Sequence, residues 1–345
     1  MKRLILLSLL VLTLSACVSG QGDLAPTSTI ALKSSSIATR TPTKTAAPTP
    51  TTRPSPTISP SPTPAPGFSF VVTSDMSHYS AREYIDYPNF FAALLRYVQE
   101  VGPGDFMVSS GDVIPAEGTR WTVGQILGED YPWFPLPGNH DFGAAEISFF
   151  ESYDFPFNNE TGPNLVSWGP EPCNRTTYSF DYKHAHFVTL NVYCNAEAPW
   201  GIDGSVTDTL YDWLVQDLAE TDKDLIFVFG HEPAFPQADD ETGQARHLGD
   251  SLDQYPEARD RFWALLKEHK VVAYIHGHTH TYSAVVVDEV WEIDAGQAMG
   301  VRAAPSPGTF LMFTVKGETV MMQTFRGEAG PGFSYRLFEE IYLRP

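Results

Sequence analysis

The sequence predicts an α/β fold in which two β-sheets pack face to face with helices outside. Through most of residues 68–275, short apolar runs alternate with amphipathic helical patterns, which is typical of strands in a parallel sheet. Residues 176–192 and 291–335 instead contain β-rich segments that follow one another without helices, which indicates antiparallel hairpins. Together the two patterns predict two packed sheets.

The first predicted unit is a strand, a helix and a second strand. Residues 68–73 form a β-rich apolar run followed by Asp75, and residues 89–100 repeat apolar side chains at helical spacing. The next strand, residues 106–108, leads to Asp112. Such a βαβ unit places both carboxylates at the carboxyl edge of a parallel sheet, where open α/β sheets bind ligands.

Three later strand candidates also lead into polar loops: residues 133–136, 225–229 and 271–275. Helical patterns at residues 208–220 and 256–269 precede the second and the third. Pro135 argues against a central, fully paired strand in the first of them, because proline donates no ladder hydrogen bond. The chain therefore repeats one arrangement, an apolar strand followed by a tight turn and a polar side chain.

Histidines cluster in these loops. Of ten in the chain, five lie there beside Gly, Asp or Asn: His78, His140, His231, His278 and His280. A single histidine is usually a satisfied structural residue, but this grouping at strand ends predicts a site. Because no cysteine joins the group, the expected ligand atoms are nitrogen and oxygen, which suit Zn, Mn or Fe.

Five motifs resemble the signature of the calcineurin-like metallophosphoesterase superfamily: Asp75, Gly111-Asp112, Gly138-Asn139-His140-Asp141, Gly230-His231 and Gly277-His278-Thr279-His280. The resemblance covers roughly residues 68–325. It implies a four-layer αββα sandwich of two mixed β-sheets flanked by helices. It also implies two divalent or trivalent metal ions (Fe, Mn or Zn) and in-line attack of a metal-bound hydroxide on a small phosphorylated substrate. The expected substrate is a phosphomonoester or a small phosphodiester. The expected enzyme is a phosphatase or, as the alternative, a nucleotidase or phosphodiesterase.

The resemblance further implies a role for each matched residue. The metal ligands are expected to be Asp75 and His280 for the first ion, Asn139, His231 and His278 for the second, and Asp112 as the bridge. His140 is expected to stabilise developing charge and protonate the leaving group, with Asp141 as its orienting partner.

The first loop departs from the family pattern. The family usually has Asp-x-His there, but here the histidine, His78, stands one place later, after Met76 and Ser77. Purple acid phosphatases, a branch of the family, supply a tyrosine three residues after the second aspartate, where this chain has Pro115. The first metal site either lacks a ligand, with Ser77 or water in its place, or uses His78 from a changed loop. We expect His78 to be the ligand.

The N-terminal region is predicted to be an export signal and a linker. Residues 1–16 combine two basic residues with an apolar run of eleven, too short to span a bilayer, and end before Cys17 in a sequence that resembles a bacterial lipobox. We expect a lipoprotein signal peptide at residues 1–16 and lipid on Cys17, which anchors the protein to the extracytoplasmic face of the membrane. The alternative is a plain secretory signal.

The catalytic domain is expected at residues 68–345, after a disordered linker at residues 17–67. Ten of the 28 prolines lie between residues 26 and 66. Residues 1–67 contain six Lys/Arg and one acid, so the domain has 16 basic and 41 acidic residues, a net charge of −25. A domain this acidic repels polyanions, and no nucleic acid polymer is expected as a partner.

Two further features are less specific. A hairpin centred on Lys183 and His184 would bring Cys173 and Cys194 opposite each other, so they either form a disulfide, as expected in an oxidising compartment, or remain buried thiols. Residues 236–255, which include Arg246 and His247, form either a lid or a solvated loop, and we favour the solvated loop.

The alternative to an enzyme is a non-catalytic, metal-binding surface lipoprotein, but the intact His140 motif favours the enzyme.

Overall fold

The computed structural model describes residues 67–76, 87–158, 160–194, 203–299, 306–327 and 334–344. The expected signal peptide, Cys17, the linker and His78 lie outside these ranges. Within them, no helix combines the length and the apolar character needed to cross a bilayer.

The described residues form thirteen strands and five α-helices. The strands are β1 (Phe68–Thr73), β2 (Phe106–Ser110), β3 (Trp133–Leu136), β4 (Asn164–Trp168), β5 (Tyr178–Tyr182), β6 (Ala185–Thr189), β7 (Leu225–Phe229), β8 (Ala273–His276), β9 (Tyr282–Val287), β10 (Val290–Ala295), β11 (Gly308–Lys316), β12 (Thr319–Gly327) and β13 (Tyr335–Arg344). The helices are α1 (Tyr87–Val101), α2 (Ala116–Leu127), α3 (Ala144–Ser152), α4 (Asp208–Glu220) and α5 (Pro256–Glu268), and a short 3-10 turn covers Leu252–Gln254.

The strands form two mixed sheets, as expected. The first has the order β13-β12-β11-β1-β2-β3, in which β1, β2 and β3 are parallel and β11 to β13 antiparallel. The second has the order β4-β5-β6-β7-β8-β10-β9 with a parallel centre from β6 to β10. The strand with Pro135 forms, and it lies at the edge of its sheet, where a residue without a backbone N–H is tolerated.

The two sheets pack through aromatic side chains. Phe70 of β1 stacks on Phe313 of β11 with ring centroids 4.6 Å apart, and it meets Phe187 of β6 and Phe227 of β7 edge-on at 5.2 and 5.3 Å. Because these rings come from both sheets, the main core lies between them. Separate apolar clusters hold α1 against the first sheet and α4 and α5 against the second. The architecture is the expected αββα sandwich.

The hairpin of β5 and β6 has the expected register. Tyr178 pairs with Thr189 and Tyr182 with Ala185, which centres the turn on residues 183–184. Beyond its open end, Cys173 and Cys194 are joined by a disulfide with a Cα–Cα distance of 5.9 Å, so this prediction is confirmed. One pairing was not foreseen: β10 forms a hairpin with β9 and also adds to β8 in parallel, which extends the parallel part of the second sheet.

Candidate active site and metal centre

The matched motifs meet at one edge of the sandwich. Their residues follow the carboxyl ends of five strands: Asp75 follows β1, Asp112 follows β2, Asn139 and His140 follow β3, His231 follows β7, and His278 and His280 follow β8. Backbone hydrogen bonds join neighbouring loops, from the Asp75 N–H to the Gly111 carbonyl and from the Gly277 N–H to the His231 carbonyl. Both sheets therefore contribute to one site.

Four of these residues have left-handed backbone conformations. The φ angles of Asp75, Asp112, His278 and His280 are 52°, 53°, 71° and 60°. Residues other than glycine rarely adopt positive φ, and such strain concentrates at functional sites. The sharp turn at each position directs the side chain toward the centre of the edge.

Two glycines allow the loops to approach this closely. A Cβ atom at Gly138 would collide with the Asp112 carboxylate, and one at Gly277 would collide with the Ser74 hydroxyl and the Asp75 carboxylate. The glycines of the motifs are thus required because neighbouring loops pack directly against them.

The first cluster contains Asp75, Asp112 and His280, all buried, with ligand atoms within 4.8 Å of one another. Asp75 Oδ1 lies 3.2 Å from His280 Nε2, and Asp75 Oδ2 accepts hydrogen bonds from the Ser74 hydroxyl at 2.7 Å and the His278 N–H at 2.9 Å. Burial opposes the charge on Asp75, but the charge and hydrogen bond of His280 outweigh it and hold the pKa of this carboxyl well below its usual range.

The second cluster surrounds the Asn139 side chain. Its Oδ1 lies 3.2 Å from His231 Nε2 and 3.3 Å from His278 Nδ1. His231 Nδ1 donates to the Ser110 carbonyl at 2.7 Å, which leaves Nε2 with its lone pair pointing into the site. Asp112 Oδ1 lies 3.5 Å from the same Nε2, so Asp112 touches both clusters.

The ligand set fits metal ions. Burial lowers the pKa of His231 to about 4 and the pKa of His278 well below its usual value, so both rings are neutral and available as ligands near pH 7. His278 Nε2 is buried and has no hydrogen-bond partner among the described residues. Among the described residues, the groups that hydrogen-bond or pair with Asp75 are a hydroxyl, a backbone N–H and an imidazole, none of them permanently cationic. Buried carboxylates with neutral nitrogen donors suit a hard or borderline cation.

His140 differs from these residues in its exposure. Its backbone N–H donates to Asp112 Oδ1 at 3.0 Å, whereas its Nε2 lies 3.9 Å from Asp112 Oδ2, and 36% of the side chain is exposed. Partial burial lowers the pKa of this imidazole. His140 thus combines a fixed backbone with a ring that a ligand from solvent can reach.

Asp141 supports the loops. Its buried carboxylate accepts hydrogen bonds from the backbone N–H groups of Gly138 at 2.8 Å and Val113 at 3.0 Å. Burial raises its pKa to about 7. Asp141 therefore joins the loop after β2 to the loop after β3, which carries His140, and its expected role as the orienting partner of His140 stays a prediction.

The model of one family, described as calcineurin-like phosphoesterase, matches residues 68–282. The chain belongs to the calcineurin-like phosphoesterase family. The match includes all five motifs, and the αββα sandwich with the motif residues at the carboxyl edge of its sheets is the fold that the sequence resemblance implied.

Individual relatives of this phosphoesterase chain are distant. An acid phosphatase from Aspergillus ficuum is 23% identical over 266 residues, covering 57% of this chain and 40% of the relative, so the chain spans less than half of that protein. A structure of PhoD shares 12% identity with a TM-score of 0.55 over 80% of this chain and 69% of that one, which shows a common fold. GAP50, an inner membrane complex anchor of Plasmodium, shares 13% identity with a TM-score of 0.49 over 81% and 89% of the two chains.

Two residues next to the candidate metal centre were not expected to contact it. The His247 ring lies 4.1 Å from the His278 ring, centroid to centroid, and Arg246 Nη1 donates to the Thr279 carbonyl at 3.1 Å. Most of residues 236–255 are exposed or half-buried, as expected of a solvated loop, and Arg246 and His247 within it are half-buried against the turn that carries His278. The polar sequence of this loop carries no periodic signal, so only the position after the turn of His231 could have indicated the contact.

Proposed function

We propose that this protein is a two-metal phosphoesterase that hydrolyses small phosphate esters. The observation that carries the proposal is the convergence of two contiguous ligand clusters, which share Asp112, beside the partly exposed ring of His140. Membership in the phosphoesterase family supports the same reaction class.

The proposed metal ligands follow the two clusters. One ion would be held by Asp75, Asp112 and His280 and the other by Asp112, Asn139, His231 and His278. Two such ions, when bound, would supply a strongly acidified water and positive charge for the phosphoryl oxygens. We propose His78 as a further ligand of the first ion.

We propose that His140 donates a proton to the leaving group. In hydrolysis, a water oxygen bonds to phosphorus, the phosphorus–ester oxygen bond breaks, and the ester oxygen leaves as an alcohol after taking a proton. Water gives up one proton to solvent and His140 takes one back from solvent, so the products are the alcohol and phosphate, or the alcohol and a phosphomonoester when the substrate is a diester. The partly exposed imidazole of His140 can reach the leaving group, and Asp112 and Asp141 hold its backbone and its loop in place.

We also propose that the protein acts outside the cytoplasm and is attached to the membrane by a lipid on Cys17. The basic and apolar residues before Cys17 and the Pro-rich linker after it support this. The disulfide between Cys173 and Cys194 is consistent with an oxidising compartment. Substituting Cys17 with Ser should move the protein from the membrane fraction to the soluble fraction, and an unchanged distribution would contradict the anchor.

The activity is tested with the purified full-length chain. We expect hydrolysis of p-nitrophenyl phosphate or bis(p-nitrophenyl) phosphate after loading with Mn, Zn or Fe, and loss of that activity after chelation. Metal analysis on the same sample distinguishes the alternatives. Two bound ions without hydrolysis of either ester or of nucleotides would identify a metal-binding lipoprotein instead of an enzyme.

A further inference from the structure

Arg246 lies against the turn that carries two of the proposed metal ligands. Its Nη1 donates to the carbonyl of Thr279 at 3.1 Å, and Thr279 stands between His278 and His280 in the chain. The guanidinium of this half-buried arginine therefore lies beside the turn that carries His278, a residue of the second ligand cluster.

Most donors of this guanidinium remain available. An arginine has five N–H donors, and among the described residues the partners of Arg246 are the Thr279 carbonyl and His247 Nε2, 3.4 Å from Nη2. Among the described residues, no carboxylate lies within ion-pair distance of Arg246. By contrast, Arg259, Arg261 and Arg326 each pair with an aspartate at 2.7 Å. In a domain with a net charge of −25, Arg246 is thus a cation without an acidic partner among the described residues, and it lies beside the proposed phosphate site.

The loop that carries Arg246 is fixed on both sides. Before it, Asp239 receives a bidentate pair from Arg326, at 2.9 and 2.7 Å, and both side chains are buried. After it, the Ser251 hydroxyl donates to the His247 carbonyl at 3.2 Å, and the His247 ring lies on His278. The guanidinium is therefore positioned before substrate binds, which reduces the entropy lost on binding.

We propose that Arg246 binds a non-bridging phosphoryl oxygen of the substrate and makes the site selective for phosphomonoesters over phosphodiesters. This inference rests on the proposed function and names its substrate class. A monoester carries two negative charges on three non-bridging oxygens near neutral pH, whereas a diester carries one charge on two. A planar guanidinium matches the additional oxygen and charge of the monoester, and its hydrogen bonds are charge-assisted.

The test compares Arg246→Gln, Arg246→Lys and the parent, each as the metal-loaded full chain with its metal content measured. We expect Arg246→Gln to lower kcat/KM for p-nitrophenyl phosphate by about 10- to 100-fold, the range for loss of a charged hydrogen bond. For bis(p-nitrophenyl) phosphate we expect a change of less than about 3-fold. Arg246→Lys should recover part of the monoester activity, because it keeps the charge but not the bidentate geometry.

A second measurement does not depend on turnover. The dissociation constant of inorganic phosphate, measured by calorimetry, should rise in Arg246→Gln by a factor similar to the loss in monoester kcat/KM. The matched control is Arg259→Gln on α5, whose guanidinium pairs with Asp260 and lies over the Phe235 ring; it should match the parent. Equal losses on both esters, or phosphate binding as tight as that of the parent, would overturn the inference. A parent that binds phosphate but hydrolyses neither ester contradicts the proposed function, and the binding comparison still decides the role of Arg246.

Discussion

The backbone N–H of His140 donates a 3.0 Å hydrogen bond to Asp112 Oδ1. The same oxygen lies 3.5 Å from Nε2 of His231. Asp112 therefore belongs both to the proposed metal site and to the support of the loop that carries the proposed proton donor. Substitution of Asp112 should disturb both functions, whereas truncation of the His140 side chain leaves the backbone hydrogen bond in place.

The first prediction separates metal binding from proton transfer. His140→Ala should retain the metal content of the parent but lose about 10²- to 10⁴-fold in kcat on an alkyl phosphate, because a poor leaving group needs a proton. The loss on p-nitrophenyl phosphate should be smaller, since that leaving group is already stable as an anion. Asp112→Ala, the comparison variant, should lose metal and activity together. Equal rates of His140→Ala and the parent on the alkyl ester would exclude the proton-donor role.

The second prediction concerns His78, which lies outside the described residues. If it completes the first metal site, His78→Ala should lower the metal content toward one ion per chain. The measurement is elemental analysis after equilibrium dialysis. His269→Ala is the matched control, because His269 lies between α5 and the start of β8, whereas the site residues follow the carboxyl end of that strand. Full metal content together with a raised KM would assign His78 to substrate binding instead.

The third prediction concerns the disulfide between Cys173 and Cys194, which are 21 residues apart. The double variant Cys173→Ala, Cys194→Ala should lower the free energy of unfolding by about 3 kcal/mol in the chain-entropy model, because the open chain regains the entropy of the closed loop. Urea unfolding with and without reductant measures this. Reductant should destabilise the parent and leave the double variant unchanged. If both thiols of unreduced, denatured protein from the native compartment react with a thiol label, the bond is absent in that compartment and the prediction is wrong.

The fourth prediction is a pH dependence of stability at His186. This buried imidazole contacts Asp181 Oδ1 at 2.7 Å and Asp217 Oδ2 at 2.9 Å. Burial lowers its pKa, but the hydrogen bonds to Asp181 and Asp217 and the charges of both outweigh burial and raise the pKa to about 9. Since the unfolded value is about 6.5, the protonated ring stabilises the fold fully below about pH 6.5, and this contribution is lost as the pH rises through 9.

The measurement is urea unfolding of the parent and of His186→Gln from pH 6 to 9.5. The difference between their free energies of unfolding should shrink across this window by up to roughly 3 kcal/mol, at about 1.4 kcal/mol per pKa unit. Lys223, 3.3 Å from Asp181 Oδ2, stays charged in this range and does not contribute to the slope. A difference that is constant with pH would mean that His186 is neutral in the folded protein.

The parts of the fold predicted from sequence depend on local patterns. Asp75 and Asp112 were placed at one sheet edge because each directly follows an apolar strand and a crossover helix separates them. The disulfide followed from a hairpin whose register is set by its own turn. The parallel pairing of β10 with β8 was missed because a local sequence pattern predicts a strand but does not determine which strand lies beside it in the sheet. The contact of His247 with His278 was missed for a related reason, since contacts distant in sequence fix the loop.

The pair of Arg326 and Asp239 has a consequence for how much of the chain constitutes the phosphoesterase. The family match ends at residue 282, after the last motif, yet Arg326 lies on β12, 44 residues farther along. Through Asp239 this arginine holds the segment that carries Arg246 and His247. A chain cut after residue 282 would contain every motif residue and still lack the support of its proposed phosphate-binding loop. The catalytic unit is therefore larger than the part of the chain by which its family is recognised.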